Sequence, residues 1–204
     1  MAATTATTLR TLYNRAARAF LHRDINECHQ LTLHAFSLIH NDHDHDGLGT
    51  HRRKWDILRI TLETTLYANT DLPVPPDLQN TLSLPSHTLL NILHQRSLAL
   101  FTPSQILKPC SAYLPSQVLI TLVLSSMKLD CPAVGRAMIE DWLGNRGVVD
   151  DPGGYEKVLD MYCLHVLPRL EESDYALEFL QYENELSAEK RLVPSILFRV
   201  STQI

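Results

Sequence analysis

Apolar residues recur every three or four positions along most of the chain, which is the period of a helix with one buried face. The pattern is clearest over residues 54–67, where four apolar side chains share one face: Trp55, Leu58, Leu62 and Leu66. No stretch alternates apolar and polar residues for long enough to indicate a strand. The pattern therefore predicts an all-α protein of about eight to nine helices.

Three segments each show an apolar helix, a short break centred on an aspartate, and a second helix that begins at once. The breaks lie at Asp24, Asp130 and Asp174, and their spacing is not constant. Small residues stand where the paired helices must approach each other, namely Ala16 and Ala35 in the first unit and Gly135 and Ala137 in the second. We therefore predict an irregular stack of antiparallel helix pairs, of the kind found in TPR-like α-solenoids.

Local signals refine the helix ends. Asp130 or Cys131 can cap the helix that follows, and Pro132 suits its first turn. Ser86 is a plausible cap for the helix over residues 88–101. Pro168 is expected to end or kink the helix that contains it, because proline lacks a backbone N–H and its ring meets the preceding turn.

The whole chain, residues 1–204, is expected to form a single helical domain with flexible loops near residues 41–51, 69–85 and 102–114. The second loop contains four prolines, at positions 73, 75, 76 and 85. That density predicts an extended surface connection without a helix.

The amino-terminal segment, residues 1–23, supports two interpretations. It has four arginines and no acidic residue, which is the composition of a mitochondrial presequence. Its apolar residues also form an ordinary core-facing helical stripe, made of Leu9, Tyr13, Ala16, Ala17 and Phe20. We expect the stripe to belong to the fold, and a cleaved targeting segment is the alternative.

The loop over residues 39–51 is rich in potential metal ligands: His40, Asp42, His43, Asp44, His45, Asp46 and His51. Its D-x-D-x-D-G start matches a calcium-binding loop, but the twelfth position, which should be a bidentate glutamate, is Arg53. The histidine spacings match no zinc motif, and no thiol lies nearby. We therefore predict a solvated loop between two helices and assign no metal ligand.

Charge and cysteine content narrow the class of protein. The net charge is −5, and this lack of a basic excess argues against nucleic acid as a partner. The four cysteines, at positions 28, 110, 131 and 163, form no CxxC pair, so we expect free thiols in a reducing compartment. The longest apolar run, Val118–Leu124, is far shorter than the roughly 18 residues that a membrane-spanning helix needs.

No catalytic motif stands out in the sequence. There is no GxSxG elbow and no glycine-rich phosphate loop. The acid pairs at positions 150–151 and 171–172 fall in loops or at helix ends, where solvated charge is normal. We therefore predict a non-enzymatic protein and assign no catalytic residue, no cofactor-binding residue and no cofactor.

Three single residues have both a structural and a functional interpretation. His165 falls within an apolar series, which favours a core or boundary position over catalysis. Trp55 and Trp142 can anchor a partner, since tryptophan is enriched at binding hot spots. Each tryptophan lies in a leucine-rich stripe, however, which favours packing in the core.

A family resemblance is carried by Leu12–Phe20, by Arg53–Tyr67, and by Met127–Pro132 through Trp142–Leu143. Together these segments resemble the cytosolic helical domain of fungal tail-anchored peroxins. The resemblance covers a pattern of helices from Leu12 to Leu186 and transfers no functional residue. It implies an adaptor on the peroxisomal membrane that recruits the paired AAA ATPases, which extract the ubiquitinated import receptor.

The resemblance also implies a membrane tail. A tail-anchored protein has a carboxy-terminal membrane helix, whereas Leu197–Ile204 is too short to span a bilayer. We therefore expect membrane attachment only through a tail that is missing from this chain.

A stack of helix pairs has a continuous groove that suits a peptide or another helical protein. We therefore expect a protein-interaction adaptor at the cytoplasmic face of the peroxisome, with a helical or peptide partner. The alternatives are an enzyme whose site is assembled from scattered residues, and a helical subunit of a larger assembly, in either case with a mitochondrial location. Charged or aromatic groups along one concave face would favour the adaptor, and a buried polar pocket would favour the enzyme.

Overall fold

The computed structural model describes residues 2–39, 47–145 and 152–183, and every regular element in these ranges is helical. The helices are α1 Ala2–Leu21, α2 Ile25–Leu38, α3 Gly49–Ala68, α4 Pro76–Leu82, α5 Ser86–Phe101, α6 Ser116–Lys128, α7 Pro132–Asn145, α8 Pro152–Met161, α9 Leu167–Arg169 and α10 Ser173–Tyr182. A 3₁₀ turn covers Ser111–Tyr113, and a π-helical segment, Tyr162–Val166, joins α8 to α9 without a break. When α8, the π segment and α9 are counted as one helix, the described part of the chain has nine helices, which confirms the predicted all-α class.

Helix α3 lies between two hydrophobic clusters. The N-terminal cluster is formed by residues of the five helices from α1 through α5, and its members include Leu9, Ala16, Ala35, Trp55, Leu62 and Leu78. The C-terminal cluster joins α3 and α5 to the later helices, and its members include Ile60, Leu90, Leu93, Leu122, Trp142, Tyr162 and Leu180. The four apolar residues predicted to share one face of α3 are all buried in the N-terminal cluster, whereas Ile60 points to the other side.

Three helix pairs turn through the same backbone conformation. Arg23, Asp130 and Glu171 have φ angles of 60°, 55° and 62°, in the left-handed region that ends many helices. The following N–H bonds the carbonyl five positions earlier in each turn: Asp24 to Ala19 at 2.9 Å, Cys131 to Ser126 at 2.8 Å, and Glu172 to Leu167 at 2.9 Å. The three predicted helix-break-helix units are therefore confirmed, although the third break centres on Glu171 and not on Asp174.

The prediction of an extended stretch at the prolines was wrong. Helix α4 lies inside that stretch, because Pro75 and Pro76 occupy the cap and first position, where a helix does not need their N–H groups.

Pro168 lies in the last turn of its helix, which ends at Arg169, so the predicted helix end at this proline is confirmed. The turn before it widens into the π segment, which gives room for the ring that would otherwise meet the carbonyl of Leu164.

Ser86 does not cap α5. It is the first residue of the helix, Pro85 holds the cap position, and no side chain bonds the first turn. The Ser86 hydroxyl instead lies 3.0 Å from Cys131 Sγ, so it links the start of α5 to the turn before α7.

Charged side chains along α3 are buried against α5. Arg59 donates a hydrogen bond to Asp56, and Arg96 of α5 donates to both carboxylate oxygens of Glu63, at 3.1 and 3.3 Å. The side chains of Asp56 and Glu63 are 0% and 4% exposed. Burial raises the pKa of both carboxyls, and the arginines oppose that rise. The Glu63–Arg96 pair therefore connects α3 to α5, whereas the Asp56–Arg59 pair lies within α3.

The buried carboxyls predict a pH dependence of stability. Because their pKa values are raised in the folded state, the folded chain binds these protons more tightly than the unfolded chain, and their stabilising contribution is lost as pH rises. We expect the free energy of unfolding of the wild type, relative to that of Asp56→Asn/Glu63→Gln, to fall as pH rises above the ordinary carboxyl pKa of about 4. Urea unfolding at a series of pH values measures this difference. A difference that is constant or rises with pH would contradict the prediction.

Gly135 sets the distance between α6 and α7. A Cβ at this position would overlap the Oγ of Ser126 on the facing helix. Ala16 and Ala35 are fully buried as predicted for a close approach, whereas Ala137 is exposed and lies away from this contact.

We expect Gly135→Ala to lower the free energy of unfolding by about 1–3 kcal/mol, since a methyl group must be forced into a filled interface. Adding Ser126→Ala removes the overlapping oxygen and should restore most of the loss. Ser126→Ala alone is the control for the hydrogen bond from Ser126 to the carbonyl of Val123. Urea unfolding of the four chains tests the prediction, and equal stability of Gly135→Ala and wild type would contradict it.

Candidate functional site

An open groove of about 600 Å³ lies between α5 and α7. Helix α5 contributes Asn91, His94, Gln95 and Leu98, whose spacing of three and four residues places them on one face of the helix. Helix α7 contributes the opposite wall, including Ala137, Met138 and Asp141. The buried side chains of Leu98 and Met138 give the groove an apolar base, and the exposed residues above them are polar or small.

His94 is the buried polar residue of the groove. Its side chain is about nine-tenths buried, and its Nε2 has no hydrogen-bond partner among the described residues. Burial lowers the pKa of His94, and the carboxylate of Asp141 partly opposes that shift. The imidazole is therefore neutral near pH 7, with one ring nitrogen able to donate and the other able to accept.

Asp141 supplies the charge of the groove. Asn145 donates to its carboxylate at 3.0 Å, and the Ser111 hydroxyl donates to its backbone carbonyl at 3.2 Å. No lysine or arginine is among the described residues that line the groove. The groove therefore has a formal charge of −1 when His94 is neutral.

Asn91 and Gln95 are exposed on the α5 wall. Within the described part of the chain, neither side chain makes a hydrogen bond. Each carboxamide can donate and accept hydrogen bonds, so the two side chains are available to a ligand.

The sequence patterns do not reveal this groove. Asn91 and Gln95 look like ordinary solvent-facing residues of a helix, and His94 looks like a boundary residue. Only the packing of α7 beside α5 brings Asp141 near His94. The single signal in the sequence is the position of a histidine between two carboxamides on the same helical face.

The histidine-rich and aspartate-rich loop falls largely outside the described residues, which resume at Gly47. His51 lies on α3, and burial together with Lys54 and Arg10 lowers its pKa. Elsewhere in the described ranges, no group of three or more histidine, cysteine, aspartate or glutamate side chains is placed to hold a metal ion. That residues 40–46 bind no metal stays a prediction.

The two tryptophans pack in the core, as predicted. Trp55 is fully buried, and its ring meets that of Tyr13 edge-on at a centroid distance of 5.4 Å. Trp142 is 4% exposed, and its Nε1 donates to the carbonyl of Leu114 at 2.9 Å. Neither side chain is available to anchor a partner.

His165 is exposed, so its expected core or boundary position was wrong. It lies in the π segment, whose wider turn advances each residue by a smaller angle, and it does not return to the buried face that holds Tyr162.

Glu172 differs from the freely solvated acid that the sequence predicts, because Arg136 donates to both of its carboxylate oxygens at 2.6 Å. The acid pair at positions 150–151 lies outside the described residues.

The four cysteines are free thiols, as expected. Cys28 and Cys163 are fully buried, and burial raises their pKa values to about 11 and about 12. Cys110 and Cys131 are partly exposed. The thiolate is the reactive form, so neither buried cysteine is suited to act as a nucleophile.

We expect a thiol reagent such as dithionitrobenzoate to modify Cys110 and Cys131 at least about tenfold faster than Cys28 and Cys163 in the folded protein. The buried pair should react at the same rate as the others once the chain is unfolded in guanidinium. Peptide mass spectrometry after timed quenching assigns the four rates. Fast modification of Cys28 or Cys163 under native conditions would contradict their burial.

Comparison with protein-family models, with curated proteins and with solved structures finds no match to the chain. The resemblance to tail-anchored peroxins therefore stays a prediction. Among residues 2–39, 47–145 and 152–183, no helix combines the length and apolar character needed to cross a membrane.

Proposed function

We propose that the chain is a non-enzymatic adaptor that binds a partner protein in the groove between α5 and α7. The observation that carries this proposal is His94, a buried polar side chain whose Nε2 lacks a partner beside an open groove. A buried polar atom without a hydrogen bond lowers stability, and a bound partner can provide the missing bond.

The composition of the groove supports binding over catalysis. A neutral imidazole beside a carboxylate can accept a proton. In the alternative function, an enzyme, His94 would be the general base and Asp141 its neighbouring carboxylate. The hydroxyl, thiol and amine nucleophiles are missing from the groove, since the described residues that line it include no serine, threonine, cysteine, tyrosine or lysine.

The proposed scaffold is a TPR-like stack of helix pairs. Its support is the common left-handed turn at Arg23, Asp130 and Glu171, which reverses the chain in the same way three times. Helices α5 and α7 both pack on α6, and the groove lies between them. A concave surface between stacked helices is where solenoid proteins commonly bind partners.

For the partner and the location, we propose what the peroxin resemblance implies, namely the paired AAA ATPases at the cytoplasmic face of the peroxisome. The alternative remains a helical subunit in mitochondria. Leu9 and Ala16 of α1 are fully buried, which supports retention of residues 1–23 in the folded protein.

Replacing either of two exposed alanines by arginine tests the groove. Ala137 is exposed and lines the groove, so Ala137→Arg fills it without disturbing the core. Ala99 is exposed on α5 outside the groove lining, so Ala99→Arg is the matched control for charge and size. We expect Ala137→Arg to weaken partner binding at least about tenfold and Ala99→Arg to leave it unchanged.

The experiment is affinity capture of the tagged full chain with quantitative mass spectrometry, followed by titration of the purified AAA ATPase pair. An ATPase pair that binds wild type and Ala99→Arg, but not Ala137→Arg, supports both function and partner. A different partner with the same dependence supports the adaptor and overturns the ATPase assignment. A partner that is bound equally by all three chains overturns the groove, and the absence of any partner overturns the adaptor.

A further inference from the structure

Resting on the proposed adaptor function, we infer that the groove binds an extended segment of the partner, which places a lysine or arginine beside Asp141 and pairs its main chain with Asn91 and Gln95. This assigns a chemical class to the ligand and a separate role to each wall of the groove. The α5 wall recognises the peptide backbone, and the α7 wall selects the side chain.

The spacing on α5 suits an extended backbone. Asn91 and Gln95 are four positions apart on one helix, so their Cβ atoms are about 5–6 Å apart. An extended chain repeats its like-facing backbone groups every two residues, which is about 6.6 Å. Two successive carboxamides can therefore bond successive amide groups on one edge of the peptide, each as donor and acceptor.

A helical ligand would not use these carboxamides, because its backbone N–H and C=O groups already bond each other. Asn91 to Leu98 spans about 10 Å along α5, which accommodates about three residues of extended chain.

The charge of the groove selects a cation. Asp141 is the one formally charged side chain among the described lining residues, and its carboxylate is oriented by Asn145. Burial keeps His94 neutral, so the imidazole does not repel a cation placed between it and Asp141. Lysine and arginine are the side chains that donate charge-assisted hydrogen bonds to such a carboxylate.

The net charge of the chain acts in the same direction. It is −5, and a negative protein raises the association rate of positively charged segments and disfavours acidic ones.

The test is selection of random dodecapeptides displayed on phage against the immobilised full chain, with Ala137→Arg used to remove peptides that bind elsewhere. We expect the selected peptides to share one lysine or arginine. For a synthetic copy, we expect Asp141→Asn to weaken binding about fivefold, and Asn91→Ala/Gln95→Ala to weaken it by about as much. Asp174→Asn, which changes an exposed aspartate on α10, is the matched control and should have no effect.

Two further measurements separate side-chain recognition from backbone recognition. Replacing the shared basic residue by norleucine should remove the effect of Asp141→Asn and preserve the effect of the α5 variant. Methylating the backbone nitrogens beside the basic residue should remove the effect of the α5 variant and preserve the effect of Asp141→Asn. Circular dichroism of each variant confirms that the fold is kept.

The outcomes are distinct. Groove-dependent peptides without a basic residue, or with unchanged affinity for Asp141→Asn, overturn this inference and leave the adaptor function standing. Groove-dependent peptides that bind as helices also overturn this inference and leave the adaptor function standing. If no selected peptide depends on the groove, both the inference and the proposed binding site are overturned.

Discussion

The packing of α3 on both of its sides is the constraint from which the rest of the structure follows. Its leucines and Trp55 face the N-terminal cluster, while Ile60 faces the C-terminal cluster. The same helix buries Asp56 and Glu63, and Arg96 of α5, which binds Glu63, restricts how α5 can lie. An apolar interface alone would permit several positions of α5, whereas a buried carboxylate with a fixed partner permits few.

The second wall of the groove is positioned by different contacts. Gly135 lets α7 lie close to α6, and the indole N–H of Trp142 bonds the carbonyl of Leu114. On the far side, the Arg136 guanidinium binds Glu172 and faces the ring of Tyr175 at 5.5 Å, which ties α7 to the segment around α10. Both walls are therefore held by polar and apolar contacts before any ligand arrives, which reduces the entropy lost on binding.

The sequence reveals the helices of this fold more readily than its site, and the reason is physical. Helix periodicity and break residues are local, so the stripe on α3 and the three turns could be predicted. The non-glycine residues in the left-handed turns are held there against their local preference. The groove depends on α7 lying beside α5, and no spacing within either helix encodes that. Buried Glu63 escapes a hydrophobic pattern for the same reason, because its partner Arg96 lies on another helix.

The link between α5 and α6 shows how the two clusters divide the chain. Its tip is open to solvent, with Leu107 99% exposed, while its base is closed by a hydrogen bond from the Cys110 N–H to Thr102 Oγ1 at 2.9 Å. A protease nick at this tip would leave α5 and Ile60 on one fragment and most of the C-terminal cluster on the other. The amino-terminal fragment would keep the whole N-terminal cluster, whereas the carboxy-terminal fragment would lack Ile60 and the α5 residues that complete its own core. After such a cut, the carboxy-terminal fragment would therefore be expected to fold only by reassembling with the amino-terminal one.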